Sequence, residues 1–236
     1  MKYRTDFTTF KEYQKIILSV PEENLQEWAD SLTKEQLSIR ITREEIEKTG
    51  FLESIIYQPY NGTCIAHILT NNCPEMPKHC RNETMLRLPD KEGRTVAHWS
   101  AYCGNLPEEF MTPEILSIRS GNGRSVLHDM AECIGEKRET DSELFASKWL
   151  PLLDSLLTME NTAFKDHSGL TVAHILAEYR CLPVRFHTQD ILSCATESCD
   201  TVAGAILQSV YLKKVENIRW EELFPEVLLT AKQFDG

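Results

Sequence analysis

The stretch "EGRTVAHWSAYCGNLP", residues 92–107, sets a single histidine, His98, in a short apolar run that opens at Gly93 and Thr95 and closes at Gly104. Such a histidine can be a metal ligand, a catalytic base or a packed structural group, and the choice decides how the whole chain is read. Its copies supply the answer. "NGTCIAHILT" (61–70), "GNGRSVLHDMA" (121–131) and "SGLTVAHILAEY" (168–179) align with it on their histidines, each with a glycine five residues earlier: Gly62, Gly93, Gly123 and Gly169. A β-branched residue stands two before each histidine, at Ile65, Val96, Val126 and Val172. Three before is a hydroxyl, Thr95, Ser125 or Thr171, with Cys64 as the exception.

His67, His98, His128 and His174 are therefore spaced by 31, 30 and 46 residues, and a fifth copy, "CDTVAGAIL", puts Gly204 in the histidine slot 30 residues further on. The long step is one period plus an insertion of about 15 residues, within about residues 134–150. A second register agrees: "LPEEFMTPEILS" (106–117) and "LPVRFHTQDILS" (182–193) match at seven positions, all at an offset of 76. One unit reads as a turn followed by two short antiparallel helices. Glycine supplies positive φ in the turn, the hydroxyl residue caps the first helix, Gly104 ends it, and Thr112 caps a second that carries Ile115 and Leu116. Neither helix can bury its apolar face alone, so neighbouring units must stack.

Around this repeat the composition is that of an ordinary folded protein, 42% apolar and 26% charged over 236 residues. Twenty-five basic against thirty-six acidic residues give a net charge of −11, which argues against nucleic acid or an anionic lipid surface as the main partner. No stretch approaches the roughly 20 apolar residues of a membrane span, and "IILSV" near the start is too short for a signal sequence, so a cytoplasmic protein without membrane insertion is expected. Eight scattered cysteines are then expected as free thiols. Secretion directed from the C-terminus would escape this test.

Gly-x-Thr-x-x-His, followed by small residues and a glycine six after the histidine, resembles the ankyrin repeat, whose period is about 33 residues. The second copy, with Asp90, Gly93, Thr95, His98, Ala101 and Gly104, lies nearest that pattern. Val-Ala replaces the family's usual Pro-Leu before the histidine, and this "TVAH" variant resembles bacterial ankyrin proteins. Only the second copy keeps the helix-ending glycine; Arg180 takes its place in the fourth. The resemblance implies an all-α ankyrin-like helical-repeat solenoid over residues 61–210, with a helical cap at 1–60 and another at 211–236. The N-terminal part reads as helices, with Leu25, Trp28 and Leu32 on one face, capping boxes at Thr33 with Gln36 and at Thr42 with Glu45, and a stop at Gly50. The resemblance further implies a non-enzymatic, monomeric protein-binding module without cofactor, whose partner is a protein, in some relatives a host protein met after secretion. It also implies that Gly93, Thr95, His98, Gly123, His128, Gly169, Thr171 and His174 are structural, with the histidines bonding across to the turns.

Partner contacts are then expected on the turn tips and on the exposed face of the first helices. Tip positions include Lys91, Glu92, Arg94, Asn122, Arg124, His167 and Leu170; helix positions are Trp99, Tyr102, Asp129, Glu132, Ile175 and Tyr179. Arg94, Trp99, Tyr102, Arg124, Asp129, Leu170 and Tyr179 form the candidate partner-binding set, because aromatic and arginine side chains dominate interface anchors. Trp99 and Ile175 could equally be core between repeats. The alternative is a small metal- or cysteine-dependent hydrolase centred on Cys73, His79 and Cys80 in "CPEMPKHC", a Pro-flanked loop whose spacing fits no standard zinc pattern. No phosphate-binding loop, nucleophile elbow or H-E-x-x-H motif is present, and no metal is called for.

Overall fold

The computed structural model describes residues 3–42, 62–141, 143 and 145–212. The expected cap box at Thr42 and Glu45, the stop at Gly50 and all but the first two residues of the C-terminal cap lie outside the described residues. Those described form helices, tight turns and isolated bridges with no extended strand, so the chain is an all-α helical repeat. It divides into two compact units, Met1–Asn122 and Gly123–Gly236.

In the first unit the repeat is built from its turn outward. Asp90 accepts the backbone N–H groups of Glu92 and Arg94 on one carboxylate oxygen, both at 2.9 Å, and the arms of the turn meet in a bridge between Pro89 and Thr95. Gly93 sits at φ +76°, and a Cβ there would stand 2.8 Å from the amide nitrogen of Gly121, so conformation and space both demand glycine. Thr95, in extended backbone, opens the inner helix Val96–Cys103, and Gly104 at φ +73° ends it in the left-handed region. Val96, Ala97, Trp99 and Ala101 from that helix are buried.

The outer half of the repeat is shorter than the expected second helix. Pro107 leads into a 3-10 turn, Glu108–Phe110, after which Thr112 accepts from the Ile115 N–H at 3.4 Å and caps a single helical turn, Pro113–Leu116. The same order recurs as Pro77, Lys78–Cys80, Asn82 and Glu83–Leu86. It also appears upstream of the expected boundary at residue 60. Thr33 caps Lys34–Leu37 with Gln36 closing the box, Arg40 bridges to Cys64, and Ile65 donates to the Ile39 carbonyl as Val96 does to that of Leu88, both at 3.1 Å. Residues 43–61 thus fall, in sequence, between the two arms of a repeat turn. Before this lies a helix, Phe10–Ile17, capped by Thr9 with Glu12, where Phe7, Phe10, Tyr13 and Trp28 bury their rings together. Leu32 is buried as well, but beyond the end of the helix Leu25–Ala29, and Leu25 is half-buried.

The second unit contains the insertion, and its main effect is to lengthen an inner helix. Val126–Thr140 spans 15 residues against 8 for Val96–Cys103. A π-type turn, Phe145–Trp149, and a helix, Leu150–Leu156, follow and bury Trp149 and Leu153. Regular order then resumes: Thr158 caps Met159–Thr162, Thr171 caps Val172–Glu178, Pro183 leads into Val184–Phe186, Thr188 caps Gln189–Leu192, and Val202–Leu212 ends the described chain. Two positions keep the backbone of a glycine without being one: Arg180 at φ +59°, where the inner helix ends, and Cys199 at φ +66°, in the turn slot that Gly169 fills one period earlier.

Candidate functional site

Each repeat histidine is held at the third position of an inner helix, folded back onto the residue that caps it. The backbone N–H groups of Cys64, Thr95, Ser125 and Thr171 donate to Nδ1 of His67, His98, His128 and His174 at 3.0–3.1 Å. The capping side chain meets the same nitrogen, at 2.9 Å for Thr95 and 2.7 Å for Ser125 and Thr171. An Nδ1 that accepts from a backbone N–H puts the proton of the neutral ring on Nε2. In the second unit that Nε2–H donates to the next turn, from His128 to the Leu170 carbonyl at 3.2 Å and from His174 to the Asp200 carbonyl at 3.1 Å. A ring engaged on both nitrogens has no lone pair left for a metal or a substrate proton. His67 differs: Cys64 stands in the hydroxyl slot, with its sulfur 2.8 Å from Nδ1, and its buried Nε2 makes no well-formed hydrogen bond among the described residues. Burial pushes the His67 pKa down from 6.5 to about 4, and burial lowers that of His174 as well.

The expected contact residues separate into exposed and buried groups. Trp99 and Ile175, at 3% and 5% exposed, take the core alternative of their two expected roles, and Asp129, expected as a contact, is 2% exposed, so none is available to a partner. The Trp99 indole N–H donates to the turn carboxylate of Asp90 at 3.3 Å and its ring meets His67 edge-on at 6.1 Å, which makes it a core residue of the first unit. Arg94 lies over Trp99 and Tyr102, 5.1 and 5.9 Å from their ring centres, with Tyr102 half-buried. Asp129 is paired with Arg124 at 3.0 Å, and the same guanidinium holds Glu132 at 2.5 Å. Burial works to lower the Arg124 pKa, and the two carboxylates more than offset it. Arg124 therefore serves its own helix.

The cysteine and histidine cluster falls into repeat register. Cys80 ends the 3-10 turn after Pro77 where Phe110 and Phe186 end theirs after Pro107 and Pro183, so its sulfur fills a core position. Cys73 and Cys80 are buried, His79 is exposed, and burial pushes both thiols up to about 12. Thiols that are protonated and enclosed are poor nucleophiles at neutral pH, which speaks against a cysteine-centred reaction at this cluster. Among the described residues no group of three or more His, Cys, Asp or Glu is arranged to hold a metal ion.

Leu170 and Tyr179, the remaining expected contacts, line one groove in the second unit with a volume of about 630 Å³. Its walls come from the end of the lengthened helix at Glu139, from Val172–Glu178 with its turn, and from Val202–Leu212 with its turn. Gly204, in the slot that holds histidine elsewhere, lies on the lining together with Glu178 and Asp200. The contributions of Glu139, Glu178 and Asp200 were not expected from the sequence; the missing histidine at Gly204 was the sign of the groove that the repeat alignment showed.

No protein-family model matches the chain, and no curated protein matches it. Among solved structures, the chain is similar to the crystal structure of the ankyrin repeat domain of Bcl-3, described there as a unique member of the IkappaB protein family. That similarity has 15% identity over 71% of this chain and 91% of the other, at a TM-score of 0.24. The helical-repeat architecture stands on the chain's own recurring turns, capped helices and histidine bonds.

Proposed function

We propose that the chain is a protein-interaction module which receives a partner on the turn and inner-helix side of its repeats. The observation that carries this reading is the groove of the second unit, where residues from three inner helices and from the turns of two of them converge on one open concavity. Tyr179 supplies the aromatic anchor there, and Arg94 with Tyr102 presents a second, smaller aromatic and cationic patch in the first unit. The repeat histidines, glycines and hydroxyls serve as the frame that holds these surfaces. The TVAH-type repeat supports one extension of the reading, a bacterial protein exported to act on a host partner.

Affinity capture from bacterial and eukaryotic lysates, run in parallel with Tyr179→Ala and Tyr102→Ala variants of unchanged helical circular dichroism, tests the proposal. A partner retained by the parent chain and lost with Tyr179→Ala is the expected result. Capture untouched by either substitution would remove the function from this face.

A further inference from the structure

The insertion and the missing histidine act on the same place. Beyond Cys133 the lengthened helix carries Gly135, where a Cβ would stand 2.2 Å from the Tyr179 ring, so that ring lies directly against the helix backbone. One turn on, the Arg138 guanidinium donates to the carbonyls of Tyr179 at 2.7 Å and of Arg180, fixing the end of Val172–Glu178. The insertion thus seats Tyr179 and raises Glu139 as a lip of the groove. On the opposite side Gly204 leaves open the volume that a histidine ring occupies in the other copies. A groove exists here because one helix is longer and one side chain is absent.

The charged side chains on its lining are acidic, while Lys165 acts on His174 from outside it. Glu139, Glu178 and Asp200 line it, and no lysine or arginine among the described residues does. His174, the other titratable group besides Tyr179 on the lining, is held neutral with Nε2 bonded to the Asp200 carbonyl. The Tyr179 hydroxyl is raised in pKa by burial first, then by the carboxylates of Glu132, Glu136, Glu178 and Glu139. Arg138 is engaged by carbonyls at the rim.

We infer that this groove takes a lysine- or arginine-bearing segment of a partner protein, with a cationic side chain over the Tyr179 ring and within reach of Glu178 and Asp200. The inference rests on the interaction-module reading and names the chemistry of its partner. Cation–π attraction to a tyrosine face and pairing with the exposed carboxylates of Glu178 and Asp200 favour such a segment, and the same carboxylates repel an acidic one.

Selection of random peptides displayed on phage against the full chain tests it, followed by affinity measurement on the parent chain, on the Glu178→Gln/Asp200→Asn double variant and on Gly204→His. Peptides enriched in lysine and arginine, weakened about tenfold or more by both changes, are expected. Neutral or acidic peptides that are lost with Gly204→His would overturn the inference while leaving the interaction-module reading intact. Enriched peptides indifferent to both changes, or no enrichment at all, would defeat both. Thermal melts of the variants keep a loss of fold from passing as a loss of binding.

Discussion

The copy around His98 and the copy around Gly204 have the same turn, the same threonine cap and the same helix start, yet they spend their side chains differently. In the first, Asp90 binds the turn amides and the Trp99 indole, His98 takes the cap amide, and Gly104 closes the helix. In the last, Thr196 stands where the turn carboxylate would be, Cys199 where the turn glycine would be, and Gly204 where the histidine would be. The regular copy consumes its polar groups in holding its own shape. The irregular copy leaves a space beside Asp200, on a lining that Glu139 and Glu178 from the two preceding copies share, and so function is to be sought where the repeat departs from its pattern.

The contrast breaks most readily at the histidine. His98→Ala removes the acceptor of the Thr95 amide and leaves a buried cavity, with an expected cost of about 3 kcal/mol in urea denaturation. A change under about 0.5 kcal/mol would show that the slot is as dispensable in the regular copy as it is at Gly204.

Acid offers the next lever. His67 titrates at about 4 in the folded chain against 6.5 for an unperturbed histidine, so between those values the unfolded chain binds more protons than the folded one. Stability is therefore complete above about pH 6.5 and falls as the pH drops toward 4, by on the order of 2–3 kcal/mol from this group. His67→Gln should flatten that slope when denaturation midpoints are measured across the window. His174, lowered in the same direction, contributes in the same sense.

Smaller effects sharpen the difference between the two copies. Gly135→Ala forces a methyl into the Tyr179 ring and should cost about 2 kcal/mol while shifting the tyrosine signals in NMR spectra. Arg180→Gly and Cys199→Gly relieve left-handed backbone at non-glycine positions, and each should stabilise by about 1 kcal/mol in thermal melts. If neither raises the melting temperature, the positive φ values at these sites carry no strain.

What could be read from the residues alone follows from these physical differences. Gly93, Thr95 and His98 recur at fixed spacing because backbone conformation, helix capping and a buried ring each tolerate few residue types, so the turn and inner helix were legible. The outer helix was less so: a single turn needs only a cap such as Asn82 or Thr188 and two apolar residues, too little for a periodic signal. Burial of Trp99 was not decidable by periodicity, since a helix packed on several sides has no clear polar face; Trp99, Ser100 and Ala101 are all buried. The groove was invisible because Glu139 and Glu178 are 39 residues apart in sequence and meet its lining only once the insertion has lengthened a helix. Gly135 was the overlooked sign, a helix-interior glycine that costs stability in isolation and is explained by the ring against it.

The account's central claim is that the last copy gives up a structural side chain to open a binding groove, and Gly204→His tests it in one preparation. Replacing Gly204 restores the ring beside Thr201 and the better helix former, so the unfolding midpoint should rise by the equivalent of about 1 kcal/mol. Affinity for the groove's partner should fall about tenfold or more at the same time. A stabilised variant that binds its partner as tightly as the parent chain would contradict the claim.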